Sequence, residues 1–216
     1  STVSASNRRM TPTASAQTSP YLEKYVDALP MPSVMAYDSR TPTLTRYTVD
    51  MRQVTQKLHR DLPATTVWGY EGVYPGPTFE TWYGENVEVT WTNSLPTTHL
   101  FKIDYTLPDT SHGDPDVRTV VHRHGGLQPG EFDGAPDAWF TPGQAEFGMV
   151  PPAYRTNVYR FENLQDPATL WYHDHAAGIT RLNVYAGLAG FYLIRSDEED
   201  ALNLPRGDRE IPIVIQ

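Results

Sequence analysis

Residues 47–51 read YTVDM and residues 87–91 read VEVTW. In both, bulky apolar side chains alternate with Thr, Asp or Glu, the period of two that gives a strand one buried and one solvated face. Runs rich in Val, Ile, Tyr, Phe and Trp recur at VWGY (67–70), VRTVVH (117–122), NVYRF (157–161), TLWYH (169–173), GLAGFYLIR (187–195) and IPIVI (211–215), the residue types that favour strands. Nineteen prolines and fifteen glycines punctuate these runs. PGPT (75–78), YGEN (83–86), LQPGEFDG (127–134) and TPGQ (141–144) supply turn chemistry at spacings that suit a sandwich or barrel, not strand-helix-strand units. The pattern predicts an antiparallel β-sandwich.

Outward from this region the signals weaken. Residues 1–19 are rich in Ser, Thr and Ala with almost no bulky apolar side chain, so burial cannot offset the entropy of ordering them; a mobile arm is expected. Ser19-Pro20 has the form of an N-cap followed by Pro at the first helical position, and Leu22, Tyr25, Val26 and Leu29 share a helical face before Pro30. One short N-terminal helix is therefore expected. SDEED (196–200) reads as an acidic loop, and residues 20–216 as one domain.

Composition removes several function classes. Twenty-six acidic against seventeen basic residues leave a net charge of −9, which repels phosphate backbones and argues against a nucleic-acid partner. No apolar run reaches the ~18 residues that a membrane span requires, and no secretory h-region follows Arg8-Arg9. The absence of an initiator Met suggests processing or a partial chain. The compartment stays open. With no cysteine in the sequence, disulfides, thiolate ligands and a cysteine nucleophile are excluded for this chain.

Four of the seven histidines form two His-x-His pairs, His122/His124 and His173/His175. Random placement would give roughly 0.2 such pairs, so two require a cause. On an extended strand residues i and i+2 share a face, which lets a pair clamp one ion or place an imidazole on each of two neighbouring ions. Arg123 and Asp174 should then point away. A single pair on a strand is more often a solvated face; two pairs, each following an apolar run and one followed by Gly125-Gly126, point to a metal site. Many imidazoles without thiolate or nearby carboxylate favour copper or zinc.

The stretches VVHRHGGLQPGEFDGAPDAWFTPG (120–143) and LWYHDHAAGITRLNVYAGLAGFYLIR (170–195) resemble the first two copper-binding motifs of multicopper oxidases, in the form found in spore-coat laccases, bilirubin oxidases and phenoxazinone synthases. The likeness extends through LEKYVDALPMP (22–32), LHRDLPATTVWGYEGVYPGPTFE (58–80), NSLPTTHLF (93–101) and LPRGDREIPIVI (204–215). It implies an all-β, cupredoxin-like Greek-key sandwich or barrel, the first of three such domains. It also implies that His122 binds a type 2 copper, His124 and His173 one type 3 copper, and His175 the other.

That family completes the trinuclear cluster with four further histidines, and its type 1 copper with a cysteine, from a C-terminal domain. This chain lacks both, and a His₂Cys centre cannot form without cysteine. The expected partners are therefore C-terminal cupredoxin domains of the same enzyme or a complementary chain, together with O2 and a small reducing substrate. Arg123 departs from the family, standing where an apolar residue or Trp is expected.

Asp133, eleven residues after His122, has two readings. The Asp-Gly dipeptide alone accounts for a turn aspartate, whereas oxygen reduction consumes protons and needs an acid near the cluster; by resemblance an acidic residue here lies near the trinuclear site. His59, His99 and His112 fall outside any paired pattern and read as structural or solvent-facing, and Trp139, Trp171 and Tyr172 as packing. A laccase-like oxidase fragment is the leading expectation; a non-catalytic copper-binding or assembly module is the alternative.

Overall fold

The computed structural model describes residues 20–111 and 113–215. Among the described residues, nine strands form two facing sheets. The first contains β1 (Ser39–Arg40), β2 (Thr45–Gln56), β5 (Val87–Asn93) and β7 (Val158–Phe161) in that order, with β3 (Thr65–Tyr70) on the far half of β2. The second has the order β4 (Gly76–Trp82), β9 (Ala189–Arg195), β8 (Ala168–Asp174), β6 (Val121–His124). Two short helices, α1 (Thr180–Ala186) and α2 (Asp197–Ala201), flank β9. Among the described residues no helix is long and apolar enough to cross a membrane.

The all-β Greek-key sandwich is as expected, but the sheets are mixed and not purely antiparallel. β2 pairs with β5, and β4 with β9, in parallel. Alternation still decides the faces: Val87, Val89 and Trp91 of β5 are buried, as are Tyr47, Val49 and Met51 beside them on β2. The rings of Tyr70, Phe79, Trp91 and Tyr172 fill the space between the sheets, with centroids 4.8 to 6.1 Å apart, mostly edge-to-face or tilted as aromatic quadrupoles prefer. Tyr172 can enter because Gly76 and Gly190, opposed on β4 and β9, leave room for it; a Cβ on either would overlap its ring or hydroxyl.

Four local expectations are corrected. Residues 20–30 contain a turn instead of a helix, and Tyr25 sits at φ +62° and fully exposed. An amphipathic face needs a surface to bury against, and this segment is held instead by Asp27, which accepts from the Arg60 side chain at 2.8 Å and backbone N–H at 2.9 Å. PGPT begins strand β4. IPIVI (211–215) forms no strand, and Ile213 and Ile215 are exposed; alternation without a neighbouring strand leaves its backbone groups unpaired. SDEED is helix α2, whose Ser196 side chain accepts from Glu199 N–H, the Ser-x-x-Glu capping signature with acidic residues in the first turn. The arm expected at residues 1–19 and His112 lie outside the described residues.

Candidate metal centre

β6 and β8 pair antiparallel, with His122 opposite His173, Arg123 opposite Tyr172 and His124 opposite Trp171. Opposed residues share a face, so His122, His124, Trp171 and His173 stand together. Arg123 and Tyr172 take the other face, both almost fully buried. His175 follows the end of β8; its N–H donates to Val120 O at 2.8 Å, and its ring lies 4.9 Å from that of His122. The four imidazole rings thus form one cluster, with centroid separations of 4.9 to 5.7 Å in the five pairs in contact. Ligand atoms of His122, His124 and His173 lie within 4.8 Å of one another.

Hydrogen bonds select the ring tautomers. His122 Nδ1 lies 2.5 Å from Asp133 O and His173 Nδ1 2.6 Å from Asp174 O. A carbonyl oxygen only accepts, so each Nδ1 carries the hydrogen and each Nε2 keeps its lone pair for a ligand. His124 Nδ1 and His173 Nε2 face each other at 3.2 Å. Two imidazole nitrogens ~2.0–2.1 Å from one ion at a tetrahedral angle stand roughly 3.3 Å apart, so this pair suits a shared transition-metal ion. His175 Nδ1 is buried without a well-aligned hydrogen bond. The donor set is imidazole alone, which suits copper or zinc better than hard cations.

The sequence profile described as multicopper oxidase matches residues 51–105 and 115–199, well over half of the chain. This chain belongs to the multicopper oxidase family. It is 47% identical over 196 residues to a laccase of Bacillus subtilis (strain 168), a match covering 90% of this chain and 38% of that laccase. A laccase of Haloferax volcanii is 44% identical over 208 residues, covering 92% of this chain and 35% of that protein. Among solved structures, a laccase from Pediococcus acidilactici superposes with a TM-score of 0.66 at 26% identity, over 88% of this chain and 34% of that one. The chain therefore spans little more than a third of these relatives, and its fold is cupredoxin-like.

In this multicopper oxidase chain, burial pushes His173 down to about 4; the Asp174 carbonyl opposes the shift, and His122, His175 and His124 add to it. Burial also lowers His175, followed by the influence of His122. Both imidazoles are neutral near pH 7, the form that binds metals. Asp174, between them in sequence, points the other way into the fold. Its carboxylate accepts from Val120 N–H at 3.0 Å, Ala176 N–H at 3.0 Å and Asn183 Nδ2 at 2.8 Å. Burial raises it to about 7 against those bonds and the nearby Arg118. Asp174 thus ties the second histidine pair to Val120, just before β6, and to Asn183 of α1.

Asp133 lies beside the cluster, with Oδ1 3.3 Å from His122 Nδ1. It follows a single helical turn, Gly130–Phe132, that brings it back over β6. Gln128 Nε2 donates to the same oxygen at 2.5 Å. Trp171 stacks on His173 at 3.9 Å and on His124 at 5.2 Å, a contact that its reading as packing understates. An apolar groove of about 840 Å³ opens beside it, lined by Tyr74, Trp171, His173, Tyr185, Phe191 and Ile215 among others. His99 accepts from Phe101 N–H at Nδ1 (2.9 Å), donates from Nε2 to Asn183 Oδ1 (2.9 Å) and packs on Trp68, while His59 contacts Glu23 O; neither joins the cluster. Sequence reasoning missed Gln128, Asn183 and Asp174 as partners of the site. The i, i+2 rule had indicated only that Asp174 faces away.

Proposed function

We propose that this chain supplies half of the ligands of a trinuclear copper cluster in a laccase-like oxidase, which couples one-electron oxidation of a phenolic or related donor to reduction of O2 to water. The carrying observation is the convergence of four imidazoles from two paired strands, with backbone carbonyls fixing the hydrogens on His122 and His173. In this reading residues 20–216 are the first of three cupredoxin-like domains. His122 serves the type 2 copper, His124 and His173 one type 3 copper, and His175 the other. Four more histidines and the type 1 copper come from C-terminal domains or a complementary chain, since this chain has no cysteine.

Copper held by His122, His124, His173 and His175 together with ligands from outside this chain would supply one-electron redox chemistry toward dioxygen. The chain's residues hold the imidazoles oriented on a short strand pair, with burial keeping His173 and His175 neutral, and Asp133 handles protons beside His122. The reducing donor binds at the type 1 copper, outside this chain.

The full-length protein from its native source should carry copper, absorb in the blue-copper band and consume oxygen with a phenolic donor. A colourless protein that neither binds copper nor consumes oxygen overturns the reading. Copper retention without oxygen uptake makes the chain a binding or assembly module instead. Asp133→Asn should slow oxygen reduction while electron uptake at the type 1 site persists; unchanged turnover across pH removes Asp133 from the reaction.

A further inference from the structure

Arg123 is 1% exposed, an uncommon place for a guanidinium. None of the ion pairs among the described residues includes it. Its charge lies over the rings of Phe161, at 4.2 Å, and Tyr192, at 4.9 Å. Its donors are spent on neutral oxygens: Nη1 on Asn163 Oδ1 at 2.5 Å, Nη2 on Leu127 O at 3.0 Å, and Nε and Nη2 together on Gln128 Oε1 at 2.9 and 2.8 Å. Asn163 is itself fastened, donating to Glu85 O at 2.9 Å and accepting from the Tyr192 hydroxyl at 3.0 Å.

Two donors converging on one amide oxygen fix which way Gln128 points. The reversed amide would set its N–H groups against the guanidinium. In the fixed orientation Gln128 Nε2 can only face Arg123 O, at 3.1 Å, and Asp133 Oδ1, at 2.5 Å. That carboxylate oxygen is the one 3.3 Å from His122 Nδ1. Gly126 makes the arrangement possible, because a Cβ there would overlap Gln128 Oε1 and Arg123 Nε.

We infer that Arg123 and Gln128 are positioning residues for Asp133: the buried fork locks the Gln128 amide, and the amide holds the carboxylate against His122. The catalytic consequence rests on the copper-oxidase reading above; the positioning itself does not. Lysine could keep the charge at position 123 but not the two-point grip on Oε1.

The test uses the full-length protein carrying Gln128→Leu, Arg123→Lys or Asp133→Ala. Crystal structures of the first two variants should show the Asp133 carboxylate displaced from His122 by about 1 Å or more, a misplacement that lowers kcat for oxygen uptake by about ten- to a hundredfold. KM for the reducing donor should stay unchanged. Introduced on Asp133→Ala, neither substitution should lower kcat further. An unmoved Asp133 in Gln128→Leu overturns the inference, as do losses that multiply independently of Asp133→Ala. If Arg123→Lys does not fold, Gln128→Leu decides alone, since Gln128 is only half-buried. Failure of the copper reading shows separately, as a wild-type protein without copper or oxygen uptake, and leaves the carboxylate position readable.

Discussion

β2 and β5 lie side by side over seven registered pairs, whereas β6 meets β8 over four. The long pair is held by its ladder and by the apolar face beneath it, with Tyr47, Val49, Val89 and Trp91 buried. The short pair shares fewer ladder bonds, although β8 is laddered on its other side to β9 over six pairs. In addition it is fixed by polar side chains reaching backbone groups: Asp174 to Val120 and Ala176, Asn183 to Arg118 O, and Arg123 to Leu127 O. A scaffold strand can tolerate small shifts along its apolar face, while a strand that carries ligands is pinned at individual atoms. The two modes of fixing should fail differently.

Asp174→Leu should have the largest effect. It leaves the buried Val120 and Ala176 N–H groups unpartnered, removes one of the two acceptors of Asn183 Nδ2 and should cost about 3–5 kcal/mol, with the histidine pair displaced and copper binding lost in the same variant. Thermal unfolding and metal content measured together check this; retained copper would show that the short pair does not depend on its polar fastening. Val89→Ala, at a fully buried position of the long pair, should cost about 2–3 kcal/mol yet keep full copper content. Loss of copper there would erase the distinction. Tyr172→Phe removes a 2.7 Å hydrogen bond to Pro77 O while keeping the ring, and about 1 kcal/mol is expected.

The smallest effect belongs to the solvated face of the long pair. Glu88 accepts from Arg46 at 3.0 Å and Arg160 at 2.9 Å, and these bonds, Arg160's first, hold its carboxyl below the ordinary 4.5. Because the folded value lies below the unfolded one, the stabilisation is full above about pH 4.5 and is lost as pH falls through the lowered value. Glu88→Gln should cost about 0.5 kcal/mol at neutral pH, as exposed pairs do, and the difference from wild type should vanish in acid. A constant difference between pH 7 and pH 3 would refute this origin.

What sequence could show divides along the same line. β2 and β5 were visible because alternation records one buried face, β8 and β9 because they are rich in strand-favouring aromatic and branched residues, and the four histidines because a period of two puts each pair on one side. β4 was hidden by Pro75 and Pro77, which read as turn chemistry, and α1 by the lack of a capping residue at Ile179. The missing N-terminal helix and the unpaired IPIVI teach the converse: a local pattern forms its element only where a surface or strand receives it. The partners of the site were hidden by separation. Asn163 reaches Arg123 across 40 residues and Asp174 reaches Val120 across 54. No spacing rule connects such positions before the sheets are assembled.

The stack of Trp171 on His173, 3.9 Å between rings with the indole about one-third exposed, has an optical consequence. A paramagnetic Cu(II) ion held by His124 and His173 would lie within a few ångströms of that indole and quench its emission. Titrating Cu(II) into copper-depleted protein should dim the Trp171 contribution in step with occupancy, and Trp171→Phe should remove most of that change. The chain would then carry a built-in fluorophore for its own metal loading, readable without turnover and independent of any reducing substrate.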